Sequence, residues 1–173
     1  MPPRRRFRDP IHQHRVFHLT ESRVAIAGHP VHAMLVAFPI ALGFSTLAAD
    51  ALYWWSGDDF WLRAGLWAAG GSFVMGLLAG LTGLAELLLV AGIRIRAASW
   101  THSILAVMLL GLLGVNWGLR LQGGEILPWG ILLSALSAAL IGMTGWHGGK
   151  LVFDYGLGGH EAHGAAPSRT DKS

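Results

Sequence analysis

The sequence predicts an all-α polytopic membrane protein, a four-helix transmembrane bundle with up-down-up-down topology, and three observations carry that prediction. The composition is 53% hydrophobic and only 13% charged over 173 residues, too little charge to cover a soluble domain of this size. The charges are gathered into blocks, and four long apolar runs lie between them. The links between those runs are only a few residues long.

Residues 31–55 carry one acid, Asp50, near the far end. Residues 62–91 have Arg63 at the start and Glu86 near the close, with uncharged residues between. Residues 97–119 and 126–149 contain no Asp, Glu, Lys or Arg. Each run reaches the ~20 residues an α-helix needs to cross a hydrocarbon core. Helices of this length that are apolar on every face rarely belong to soluble proteins. The connections at 56–59, 92–96 and 120–125 are short enough to make neighbours antiparallel. Gly76 with Gly80, Gly114 with Gly118, and Ala138 with Gly142 stand four apart. That spacing lets helix backbones approach closely, within the bundle or between copies in an oligomer.

The absence of cysteine excludes disulfides, thiolate metal sites and cysteine catalysis. A nucleic-acid role is rejected as well, because the net charge is only +3 and the one basic run is a short tail. Eleven of the thirteen basic residues fall on one side of the expected bundle: six arginines before the first run, Arg94 and Arg96 in the second link, and Lys150, Arg169 and Lys172 after the last run. The positive-inside rule then places both termini of this multi-pass protein in the cytoplasm. Trp54, Trp55, Trp61 and Trp129 would form an outer aromatic belt, with Trp100 and Trp146 near the inner face. Arg4-Arg5-Arg6-Phe7 has the look of a twin-arginine export signal, but charged and histidine residues follow where an apolar stretch is required. The chain is therefore divided into a basic cytoplasmic tail at 1–27, the transmembrane domain at 28–158, and a disordered cytoplasmic tail at 159–173.

In this topology the histidines gather at the cytoplasmic end. His29 and His32 open the first run, His102 lies early in the third and His147 late in the fourth. Glu86 is roughly 12 Å along its helix from Arg94, and His102 roughly 9 Å from Arg96, so both lie within the membrane. Ionisable groups inside a span are costly and usually mark a site. Taken singly the bland readings hold: His29 before Pro30 suits a helix start, and His147 among Gly145, Gly148 and Gly149 suits a helix end. As a set, the four histidines and Glu86 read as candidate ligands. In the outer half, Asp50, Arg63 and Asn116 suggest a small polar network with an Asp50–Arg63 ion pair as a structural lock.

The segment Gly28-His29-Pro30-Val31-His32-Ala33-Met34-Leu35-Val36-Ala37-Phe38-Pro39-Ile40 resembles the opening motif of a bacterial family of four-helix membrane proteins, domain of unknown function 2231. Gly145-Trp146-His147-Gly148-Gly149-Lys150-Leu151-Val152-Phe153-Asp154-Tyr155-Gly156-Leu157-Gly158 is similar to that family's closing signature, so the likeness covers roughly residues 25 to 158. The resemblance implies an acidic residue late in the second span and a histidine early in the third, here Glu86 and His102. Fusions of such domains to iron–sulfur or cytochrome modules imply a redox partner.

Three functions compete. A b-type haem would be held by His29 or His32 together with His102 or His147 across the bundle. Arg23, Arg94, Arg96 and Lys150 stand at the level of its propionates, and the protein would serve electron transfer. A non-haem Zn or Fe ion would instead take His29, His32, His102 and Glu86 as ligands, as in a membrane hydrolase or oxidase. The third is a cofactor-free accessory subunit whose partner is the lipid bilayer. Ligands on separate helices favour haem.

Overall fold

The structure, a computed structural model, describes residues 21–123 and 126–157. Most of the expected N-terminal tail, and all of the C-terminal one, lie outside the described residues. Four spans are present, at Val31–Ser56, Asp59–Leu89, Ala97–Leu121 and Ile126–Phe153. All-α and polytopic is the observed architecture.

A two-residue strand pair opens the described chain. Strand β1 (Ala25–Ile26) runs antiparallel to β2 (His29–Pro30), with Ala25 opposite Pro30 and Ile26 opposite His29. Ala27 and Gly28 turn the hairpin with φ of 49° and 80°, the left-handed pair that a two-residue hairpin loop requires. The hairpin straddles the 27/28 boundary read from composition.

The first span is broken into α1 (Val31–Leu35) and α2 (Ala37–Ser56). Pro39 is the cause. It has no N–H to give the Leu35 carbonyl, and its ring crowds that carbonyl. Gly57, at φ 67°, closes α2 in the left-handed conformation that glycine adopts without strain, and its N–H reaches the Tyr53 carbonyl at 2.8 Å. Asp58 then caps α3 (Asp59–Leu89), its side chain accepting from the Phe60 N–H at 2.8 Å. A two-residue link therefore joins the first two spans. A single short turn, α4 (Ala91–Arg94), leads to α5 (Ala97–Leu121). An irregular turn at Ile126–Gly130, with a cis Leu127–Pro128 peptide, leads to α6 (Ile131–Phe153).

The helices pack as a closed ring: α2 on α3, α3 on α5, α5 on α6, and α6 back on α2. Small residues line the seams. A side chain at Gly76 or Gly80 would press on Leu110, and one at Gly114 on Phe73. Gly118 and Gly142 face open space instead, so two of the three expected small-residue pairs have one member outside any seam within one chain. The interior is inverted relative to a soluble bundle. Its largest fully buried side chains are Asn116, Asp50, Ser72, Ser134 and Ser137, while leucines, tryptophans and phenylalanines lie on the outside. Lipid accepts apolar surface freely, so the interior is left for small and polar groups that bond one another. Ser72 Oγ, for example, donates to the Pro39 carbonyl at 2.9 Å.

Candidate functional site

Two polar clusters lie at opposite ends of the bundle. Asp50 follows His32 by eighteen residues and Arg120 follows His102 by the same interval, about 27 Å of helix in each case.

At the far end, Arg120 Nη2 meets Asp50 Oδ2 at 2.7 Å, with both side chains at most 2% exposed. Ser134 Oγ donates to the same carboxylate oxygen at 2.6 Å. Asn116 Nδ2 donates to Ser134 Oγ at 3.0 Å, and Arg120 Nε donates to Asn116 Oδ1 at 3.1 Å. The remaining Arg120 nitrogen, Nη1, is buried without a partner among the described residues. It lies against Gly65, where a side chain would come within 2.8 Å of it. The expected lock exists, but its cation is corrected: Asp50 pairs with Arg120, not Arg63, which is exposed. Helix phase explains the correction. The inward stripe of α3 runs Gly65, Ala69, Ser72, Gly76, Ala79 and Glu86, and at 3.6 residues per turn Arg63 points about 160° away from Gly65. Arg120 was assigned to a loop, yet it lies on α5 one turn beyond Asn116. Ser134 carried no signal beyond a hydroxyl in an apolar run.

At the histidine end, His32 and His102 come together. Their ring centroids are 6.3 Å apart with planes at 86°. His32 Nδ1 lies 2.8 Å from the Ala79 carbonyl oxygen on α3, and His102 Nδ1 lies 3.2 Å from the Thr144 carbonyl oxygen on α6. A carbonyl only accepts, so each Nδ1 carries the proton and Nε2 is the nitrogen that a ligand would meet. Glycines make room for both rings. A side chain at Gly83 would fall 2.7 Å from His32 Nδ1, and one at Gly148 would fall 3.1 Å from His102 Cε1.

The other expected ligands are placed elsewhere. His29 is exposed, and its Nδ1 bonds the Ala27 carbonyl within the hairpin turn at 3.0 Å. It does not cap the first helix; Pro30 occupies that position, and the Val31 N–H goes to the Val24 carbonyl. His147 is half-buried on α6. Glu86 is buried at 6% exposure, but the sequence assigned it the wrong partners. Instead of histidines, it accepts from Ser22 Oγ, from the Val24 N–H at 2.7 Å and from the Arg23 N–H at 3.2 Å. Among the described residues, no three His, Asp or Glu side chains gather closely enough to hold one metal ion. The segment at 22–24 was missed because its composition reads as tail. A serine and free backbone N–H groups ahead of a hairpin turn carry no motif.

The bundle therefore offers two preorganised imidazoles from different helices at one end and a closed ion-pair network at the other. No curated protein matches the chain, and neither does any solved structure. Residues 28–161 match the family model described as predicted membrane protein (DUF2231), and with four spans and an inverted interior the chain belongs to that family of integral membrane proteins.

Proposed function

We propose that this protein is a bacterial inner-membrane electron carrier that holds one b-type haem between His32 and His102, with the histidine end and both termini facing the cytoplasm. The observation behind this reading is the pair of neighbouring imidazoles from different helices, each ring anchored through Nδ1 to a main-chain carbonyl. That anchoring fixes ring orientation and tautomer, the usual arrangement behind a metal-ligating histidine. The two ring centroids stand 6.3 Å apart on different helices, so His32 and His102 are the residues that would hold the group together. Two nitrogen donors could hold a haem but would leave a zinc site incomplete. With Glu86 engaged by the N-terminal segment and His29 turned to the surface, the three-histidine, one-carboxylate centre loses its support.

When bound, the haem would supply one-electron chemistry at its iron. The chain's own part is to orient the imidazoles. Arg23, Arg94 and Lys150 are exposed on the same end and suit the propionates. A redox protein or an iron–sulfur module would exchange electrons there.

The test is an absorption spectrum with haem and metal analysis on detergent-purified protein, for the parent and for His32→Ala, His102→Ala and Glu86→Gln. Haem in the parent and in Glu86→Gln, but lost from both histidine variants, is the expected result. A metal without haem that follows the same two histidines replaces haem with a bare ion. A parent free of both leaves the accessory-subunit reading standing.

A further inference from the structure

The N-terminal hairpin is more than an entry to the first span. We infer that residues 21–30 form a strap, latched by the Glu86 carboxylate, that closes the histidine end of the bundle and must release before anything reaches His32 and His102. The identity of what enters rests on the haem reading; the strap itself does not.

Along α3, Ala79, Gly83 and Glu86 follow at the spacing of one helix face. Ala79 bonds the His32 ring and Gly83 makes room for it. Glu86 lies about 4.5 Å further along the axis, so the strap is seated on the turn directly beyond the imidazole. Its donors are chosen by necessity. Backbone N–H groups within a helix are already paired, whereas those of an extended chain are not, and leaving them unbonded at the edge of a bilayer is costly. A buried carboxylate has the reciprocal need. Each satisfies the other through the N–H groups of Arg23 and Val24 and the hydroxyl of Ser22. One further tie completes the seat, the Val31 N–H bonding the Val24 carbonyl at 3.0 Å, while the pairing of β1 with β2 folds the strap on itself. The contacts of the latch are polar and few, while the four spans behind it are held by whole helix faces. The strap is thus the element that can open without unfolding the bundle.

The experiment uses the full chain in nanodiscs and needs no cofactor. Hydrogen–deuterium exchange reports residues 21–30, and modification by diethylpyrocarbonate, read by mass spectrometry, reports each histidine. Glu86→Gln keeps the shape but sets an amide NH₂ against the strap's N–H groups. It should raise both the strap exchange and the His32 and His102 modification rates roughly ten- to hundredfold, as expected for losing a charge-assisted hydrogen bond. Ser22→Ala removes one donor of three and should fall between. Unchanged exchange in both variants overturns the latch. Faster exchange with unchanged histidine modification overturns the gate. Loss of helix in both variants makes Glu86 a scaffold residue and also overturns the proposal. Should the parent carry no haem, the electron-carrier reading fails while these rates still decide the strap.

Discussion

Replacing Asp50 by Asn should destabilise the bundle far more than any change at Arg63. The carboxylate is 1% exposed and the Arg120 guanidinium 2%, so neither group is relieved by water. Asn keeps the shape and can still accept from Ser134, but the guanidinium loses its counter-charge 2.7 Å away. Its Nη1 already lacks a partner among the described residues, so no spare contact can compensate. Removing one partner of a buried pair costs about 3–5 kcal/mol, which at 1.4 kcal/mol per tenfold is a hundred- to several-thousandfold fall in the folded-to-unfolded ratio. Asp50→Leu combined with Arg120→Met removes both charges and should restore most of that loss. Arg63→Ala, at an exposed position, should stay within about 0.5 kcal/mol of the parent. Denaturant titration in mixed micelles, followed by far-ultraviolet circular dichroism, measures all four proteins. An Asp50→Asn protein within about 1 kcal/mol of the parent, or an Arg63→Ala protein equally damaged, would refute the reasoning.

Glycine substitutions should divide by what faces them. At Gly70 a side chain would fall 2.7 Å from Trp117 Nε1, so Gly70→Ala should cost about 1–3 kcal/mol through overpacking, whereas Gly142→Ala meets nothing within 4 Å and should gain roughly 0.5–1 kcal/mol in helix propensity; the same titration compares them. Ala27 holds φ 49°, a left-handed conformation costing about 1–2 kcal/mol for a residue with a side chain, so Ala27→Gly should slow hydrogen exchange in the hairpin. Cysteines introduced at Ser56 and Gly123 should react with an impermeant thiol reagent from outside intact cells, and one at Ser168 only after the membrane is opened; the reverse pattern would invert the proposed orientation.

Much of the fold is legible in the sequence because a bilayer imposes a one-dimensional rule. Spans must be long, apolar and hydrogen-bonded within themselves, so runs between charge blocks give the four helices to within a few residues. The break at Val36 is legible too, since Pro39 acts on its own helix. What the sequence misassigned were partnerships. Asp50 lies at one end of a span with two arginines on its side of the expected bundle, and charge alone cannot choose between Arg63 and Arg120. Phase could have helped, because His102 and Arg120 are about five full turns apart and so share a face.

By itself, then, the sequence determined the class, the number and approximate bounds of the spans, and that His32, Asp50, Glu86 and His102 lie within them, all of which follow from local hydropathy and helix geometry. Only the tertiary structure decided that His32 meets His102, that Arg120 meets Asp50, and that Glu86 holds the segment at 22–24 rather than a histidine. Those pairings depend on the rotation of each helix about its axis and on where an extended segment folds back. Rotation is set by small residues at the seams and by buried polar groups finding one another, which are contacts between parts of the chain that no local pattern records.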